Sequence, residues 1–226
     1  MKFNILTIFP NIFDSYFSES ILKKARDKKL ININIVNIRN FTNDKRKTVD
    51  DSPYGGGAGM IMKVEPIYKA LRSLKKKNRK KRKIILLTPT GKQFDQKIAN
   101  RYSKLDELTF ICGRYEGIDA RIEEFTDEKI SIGPYILNGG EIGAITIIET
   151  VSRLIPKVLG NEKSLQEETF ALEKKSKKFF IEYPQYTRPE IFKINKKKYK
   201  APKILLSGDH KKIAEWRNKK SRLVDH

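Results

Sequence analysis

Lys83-Ile84-Ile85-Leu86-Leu87-Thr88-Pro89-Thr90-Gly91 is an unbroken apolar run that passes directly into a loop bearing proline and glycine. Large apolar residues at successive positions read as a strand buried on both faces, the kind found inside parallel sheets. The pattern recurs twice downstream. Residues 108–112 lead into Gly113-Arg114-Tyr115-Glu116-Gly117, and residues 129–132 lead into Gly133-Pro134-Tyr135-Ile136-Leu137-Asn138-Gly139-Gly140-Glu141. Helical spacing separates them, over 93–103, 118–125 and then 141–158, where Ala144, Ile145, Ile148, Val151, Leu154 and Ile155 share a side. Three glycine-bearing loops at the carboxyl ends of neighbouring parallel strands would converge on one crevice, the usual ligand position in α/β sheets. Any one of them alone reads more readily as an ordinary turn; the three together point to a site.

Towards the N-terminus, 3–9 and 31–38 read as strands. Between them 11–29 carries Ile12, Phe13, Phe17, Ile21, Leu22 and Ala25 at helical spacing. Residues 39–62 are polar and then glycine-rich, and read as irregular; a helix is expected from Pro66. Residues 75–83 are basic at every position except Asn78 and read as an exposed helix end and loop. The expected fold class is α/β, with a mostly parallel sheet covered on both faces. Three parts follow from the composition: a domain over 1–160, a charged, unpatterned linker over 161–178, and a small C-terminal domain over 179–226. The last starts rich in Pro and Tyr, has a lysine run at Lys196 to Lys198, and carries a helix near 209–221.

The chain has 226 residues and a net charge of +21, from 48 basic and 27 acidic side chains. So cationic a surface points to a polyanionic partner. Only 13 of the 48 are arginine, however, and a lysine excess can also be plain solvated surface. One cysteine, Cys112, excludes an internal disulfide or a thiolate zinc site. A Ser-His-Asp triad would have to use His210 or His226, and neither lies in such a motif. No apolar run is long enough to span a bilayer, and the start shows no signal-peptide pattern. A cytoplasmic protein with no membrane association is expected. Gly91-Lys92 lacks the upstream glycine of a P-loop, and Gly55-Gly56-Gly57-Ala58-Gly59-Met60 does not fit the dinucleotide fingerprint.

Six segments, in this order and covering nearly the whole chain, carry a resemblance. They are 50–60 (DDSPYGGGAGM), 112–119 (CGRYEGID), 137–141 (LNGGE), 151–156 (VSRLIP), 186–190 (YTRPE) and 205–210 (LLSGDH). Together they resemble the bacterial tRNA (guanine-N1)-methyltransferases, the TrmD family of the SPOUT class. The resemblance implies a SPOUT-type sheet with a trefoil knot and a small, mainly helical C-terminal domain that binds tRNA. It implies S-adenosylmethionine as methyl donor, an obligate homodimer, and as substrate the guanosine 3′ of the anticodon, position 37. It leaves a divalent magnesium ion open. Donor-binding residues by resemblance are Leu87, Thr88, Pro89, Gly113, Tyr115, Glu116, Ile132, Gly133, Pro134, Tyr135, Ile136, Leu137, Gly139 and Gly140. Substrate-binding residues are Asp50, Tyr54, Gly55, Gly59 and Arg188.

Guanine N1 carries a proton at neutral pH and has no free electron pair. A base must remove that proton, and charge then spreads to O6, so the site needs a carboxylate and a cation. By resemblance the base lies in Gln166-Glu167-Glu168-Thr169-Phe170, at Glu168, where relatives generally have aspartate. The longer arm matters, because displacements of about 1 Å can cost about 100-fold. Glu167 is the competing candidate. Arg153 aligns with the family's catalytic arginine, though Glu149, one helical turn earlier, could pair with it. Glu116 could face the donor, bind a divalent ion or simply open a helix. Tyr115 and Tyr135 could line the donor, and Cys112 reads as packing. Pro134 and Ala120 stand where acidic residues are common in relatives. Two alternatives stay open: a SPOUT enzyme acting at another RNA position, and a non-catalytic RNA-binding relative.

Overall fold

The computed structural model describes residues 1–74, 81–160, 169–170 and 179–224. The linker expectation over 161–178, with Glu167 and Glu168, falls outside these except at Thr169 and Phe170. Most of the lysine run, 75–80, and His226 also lie outside the described residues. Two compact units divide the chain, Met1–Gly160 and Asn161–His226.

The first unit is built on strands β1 (Lys2–Thr7), β2 (Asn32–Asn37), β5 (Arg82–Gln93), β6 (Glu107–Cys112) and β7 (Glu128–Ser131), with a short antiparallel pair of β3 (Asp50–Asp51) and β4 (Ile61–Met62) beside them. The five long strands form one parallel sheet in the order β2-β1-β6-β5-β7. Side chains alternate across it, as the pleat requires. Ile5, Ile85 and Phe110 enter one buried cluster while their neighbours Leu6, Leu86 and Ile111 enter the other. Helices α1 (Asp14–Phe17), α2 (Ser20–Asp27), α4 (Gln96–Tyr102) and α5 (Glu141–Arg153) supply the first cluster with Phe17, Leu22, Ala99, Ile148 and Val151. Helix α3 (Val64–Ser73) supplies the second with Ile67 and Ala70. Both faces are thus covered, and β1 and β6 are buried at every position but the first.

Several boundaries differ from the expectations. The stretch 11–29 is broken into a 3-10 turn (Pro10–Phe13), α1 and α2, with Ser20 at a φ of 52° between the last two. A residue in that left-handed region interrupts helical hydrogen bonding. The 118–125 segment is a 3-10 turn, Ala120–Phe125. Helix α5 ends at Arg153, and Leu154, Ile155 and Val158 pack on the core from beyond it. The 39–62 region contains β3 and β4.

Strand β5 is longer than its apolar run suggests. Leu87 and Lys92 both pair with Ile130 of β7, so Thr88-Pro89-Thr90-Gly91 bulges out of the ladder and the strand resumes after it. A Cβ at Gly91 would lie 2.5 Å from the backbone nitrogen of Ile130, so only glycine lets the bulge close on β7. At the foot of β7, Glu128 accepts hydrogen bonds from Tyr102 Oη at 2.8 Å and Arg101 Nη2 at 2.7 Å, and pairs with Lys83 at 3.3 Å.

The second unit corrects the expectation of a mainly helical domain. Among its described residues it holds one α-helix, α6 (His210–Lys220), and two small antiparallel sheets: β8 (Phe179–Ile181) with β11 (Arg222–Val224), and β9 (Ile191–Ile194) with β10 (Lys197–Lys200). The lysine run reads as solvated surface and so hides β10, whose one aromatic residue is Tyr199. Asp209 caps α6 by accepting a hydrogen bond from Lys212 N at 3.1 Å. Trp216 meets Tyr183 and Tyr186 edge-on, and Arg217 lies over the Tyr183 ring.

Candidate active site

The carboxyl ends of β6, β5 and β7 stand side by side, and the three glycine-bearing loops leave from them. They ring a cleft of about 660 Å³, within the usual range for small-molecule sites. Leu87, Thr88 and Pro89 come from the β5 bulge; Gly113, Tyr115 and Glu116 from the loop after β6; and Ile132, Gly133, Tyr135, Ile136, Leu137, Gly139 and Gly140 from the segment after β7. Thirteen of the fourteen residues assigned above to donor binding therefore line one cavity; Pro134 is the exception, and does not line it.

The walls include apolar side chains, Leu87, Ile132, Ile136 and Leu137, and the glycines Gly113, Gly133, Gly139 and Gly140, which expose backbone. Ile136, Leu137, Asn138 and Gly139 line the cleft, and their N–H groups make no hydrogen bond among the described residues. Tyr135 folds back on its own loop, its N–H bonding to Gly133 O at 2.9 Å and its hydroxyl to Ile132 O at 3.2 Å. Tyr115 holds a φ of 59°, an unfavourable region for a bulky side chain. A turn closed by Gly117 N to Arg114 O, and a bond from Glu116 N to Met60 O, hold it there. Both tyrosine rings are about half exposed.

Three side chains beside the cleft, Arg114, Glu141 and Thr7, escaped the sequence reading. Arg114 donates from Nε to Glu141 Oε2 at 3.0 Å and from Nη1 to the Asn138 carbonyl at 3.3 Å, with its guanidinium 4.8 Å over the Phe9 ring. Thr7 Oγ1 donates to Glu141 Oε1 at 2.7 Å and accepts from Phe9 N at 2.9 Å. Glu141 is 1% exposed, so both oxygens of a buried carboxylate are satisfied. The network ties β1, the loop after β6 and the start of α5 into one frame around the cleft. Gly139 is where the chain passes this network; a Cβ there would strike Arg114 and Glu141. No local pattern announces a pair 27 residues apart, although both members lie in the quoted motifs.

Cys112 closes β6 directly under this frame, fully buried. Gly140 N bonds to Gly113 O above it at 3.0 Å. Burial, then the Glu141 charge, pushes the thiol well above its ordinary value, which suits a packing role. Asp119 accepts two bonds from Arg121, at 2.9 and 2.5 Å, and these hold its carboxyl below the usual range.

The glycine-rich segment lies against the same cleft. Met62 N bonds to Gly117 O at 2.9 Å, and a Cβ on Gly59 would fall 2.5 Å from Glu116 Cγ. Asp50 pairs with Met62 at the foot of this segment, while Tyr54 at its tip is fully exposed and Gly55 follows it at a φ of 86°. Arg153 is not at the cleft. It ends α5, about 18 Å along the helix axis from Glu141 at the other end. Arg188 is an exposed residue of the second unit, and Glu167 and Glu168 are outside the described residues. Of the cleft-lining carboxylates Glu116 and Glu123, the latter pairs with Lys129 at 2.8 Å. Among the described residues no group of three or more His, Cys, Asp or Glu could hold a metal ion.

A family model described as tRNA (Guanine-1)-methyltransferase TrmD matches residues 1–224. Several proteins named tRNA (guanine-N(1)-)-methyltransferase are similar over nearly the full chain. The one from Dictyoglomus turgidum is 51% identical over 98% of this chain and 85% of its own length. That from Carboxydothermus hydrogenoformans is 51% identical over 99% of this chain and 83% of its own, and one from Clostridium perfringens strain SM101 is 48% identical over 99% and 89%.

Proposed function

The chain belongs to the tRNA (guanine-N1)-methyltransferase family and is a methyltransferase acting on tRNA, and from that premise we propose that it methylates N1 of the guanosine 3′ of the anticodon, position 37. The observation that carries the donor assignment is the single cleft ringed by three loops, with backbone N–H groups beside apolar side chains. These residues fit S-adenosylmethionine: the apolar side chains suit its adenine, and the N–H groups suit its polar ends. When bound, that molecule supplies a sulfonium-activated methyl group.

The rest is work for the chain's own residues. Thr88, Gly113 and Leu137 belong to the three loops whose backbone would orient the donor, with Tyr115 and Tyr135 at the mouth limiting water. Pro134, off the cleft wall, would shape the turn instead. Glu168 takes the proton from guanine N1, with Glu167 as its competitor, and Arg153 offsets the charge that grows on O6. Asp50, Tyr54, Gly55 and Gly59 would meet the substrate, because their segment packs on Glu116 at the cleft. Arg188 would add a contact from the second unit. Glu116 is the cleft carboxylate that would hold a divalent magnesium ion, with water and substrate oxygens completing its six ligands.

The distance of Arg153 from the cleft of its own chain favours a homodimer in which each site draws on both copies. Exposed Phe9, Ile12 and Tyr16 near the first helical turns, and Ile142 on the adjoining α5, favour the same reading. A trefoil knot of the SPOUT class fits the return of 132–140 across the ends of β5 and β6. In this reading 1–160 binds the donor and forms the dimer, 161–178 carries the base, and 179–226 binds tRNA. Among the described residues no helix is long and apolar enough to cross a membrane, and tRNA as substrate favours the cytoplasm.

The test is incubation with methyl-tritiated S-adenosylmethionine and unmodified tRNA, followed by mapping of the label. Label at N1 of the guanosine after the anticodon supports the proposal. Label elsewhere favours the SPOUT alternative, and binding without label favours a non-catalytic relative.

A further inference from the structure

The β9–β10 hairpin is exposed along all eight of its strand residues. An isolated two-stranded hairpin is marginal in water, and this one carries an added electrostatic burden. Its register sets Lys198 directly opposite Lys193, and Lys200 opposite Ile191. Alternation along the strands then places Lys193, Lys198 and Lys200 on one face, with Ile191 as its one apolar member. Phe192, Ile194, Lys197 and Tyr199 share the other, where the Phe192 and Tyr199 rings lie 6.4 Å apart and hold the strands together. Like charges directly opposite each other destabilise a strand pair.

Among the described residues no ion pair relieves that repulsion, and the adjoining acid is Glu190, just before β9. Residues 191–200 contain five lysines and no acidic side chain, and none of the five forms an ion pair among the described residues. A flat face that keeps cations opposed without counter-charges suits a polyanion. Phe192, Ile194 and Tyr199 are on the opposite face, so this one offers three cations with the single apolar residue Ile191 beside them, a set that suits a phosphate backbone better than insertion into a lipid surface.

We propose that the face formed by Lys193, Lys198 and Lys200 is a phosphate-contacting surface for RNA. The proposal rests on the reading of the chain as a tRNA methyltransferase. It assigns affinity to this face and no base selectivity, because phosphate contacts position a nucleic acid without reading its sequence.

The test uses the full chain with Lys193, Lys198 and Lys200 all replaced by Gln, and an unmodified tRNA transcript titrated over a salt series. Each lost phosphate contact lowers the slope of log Kd against log salt by roughly 0.7 to 0.9. The triple variant is therefore expected to lose about 2 to 3 from that slope and about tenfold or more in affinity at low salt. Its binding of S-adenosylmethionine is expected to match the parent's. An unchanged slope with donor binding intact overturns the proposal. So does loss of binding to phosphatidylserine-rich vesicles while tRNA binding is kept. Lys198→Gln alone, expected to lower the slope by about 0.7 to 0.9, keeps the test open if the triple variant does not fold. A parent chain that neither binds nor methylates tRNA removes the underlying reading and this one with it, an outcome distinct from loss confined to the variants.

Discussion

The Nε of Arg114 lies 3.0 Å from Oε2 of Glu141, an ion pair joining the loop after β6 to the first residue of α5. Glu141 is buried while Arg114 is one-fifth exposed, and the carboxylate would be stranded without its cation. Removing one partner of a buried pair costs about 3 kcal/mol. Arg114→Met is expected to lose about that much in urea unfolding and to bind S-adenosylmethionine more weakly, because the Asn138 carbonyl loses its donor. Arg114→Lys should recover part of the stability, as a point charge without the guanidinium fork. Equal stability of parent and Met variant would show that the pair contributes nothing net.

Gly91 and Gly139 separate stability from binding. Gly91→Ala drives a methyl group against the Ile130 backbone, which cannot yield without shifting β7. A loss of about 3 kcal/mol is expected, read as a lowered urea midpoint. Gly139→Ala presses instead on the Arg114 and Glu141 side chains, so its larger effect should appear in donor affinity measured by calorimetry. The reverse ranking would count against the placement of these loops.

Turnover identifies the base. Glu168→Gln is expected to keep donor binding and lose about 100- to 10,000-fold in single-turnover methylation, while Glu167→Gln loses far less. If the two variants exchange these phenotypes, Glu167 is the base. Arg153→Ala should cut kcat with donor Kd unchanged, since its proposed role is toward the charge on guanine O6 and not toward the donor.

Acid stability should track Glu128. Burial raises its pKa, but hydrogen bonds from Tyr102 and Lys83 and the charge of Arg101 outweigh it, so the carboxyl is held below its ordinary 4.5. A folded pKa below the unfolded one gives stability that is present above 4.5 and is lost as pH falls through the folded value. Glu128→Gln should therefore lower Tm near neutrality and flatten the decline of Tm below about pH 4.5. Parallel curves for variant and parent would exclude Glu128 as a contributor.

The parallel sheet was legible because residues 84–87 are apolar without interruption and 108–112 are apolar except at Thr109, and the cleft because each loop announces itself by glycine. Other features were not legible, for physical reasons. Thr88-Pro89-Thr90-Gly91 looks like the end of a strand, yet β5 resumes at Lys92 because Ile130 pairs on both sides of the bulge. The break at Ser20 depends on one backbone angle, and apolar spacing carries no record of it. The Arg114–Glu141 pair depends on tertiary proximity. The β9–β10 hairpin is masked because lysines occupy strand positions that are usually apolar or β-branched.

The chain's one cysteine is sealed beneath the Gly113–Gly140 hydrogen bond, with its thiol held protonated. A maleimide dye added to the native protein should therefore react only when α5 lifts away from the sheet. The labelling rate at Cys112 becomes a clock for breathing of the cleft proposed for the methyl donor, available without engineering, and any molecule that fills that cleft should slow it.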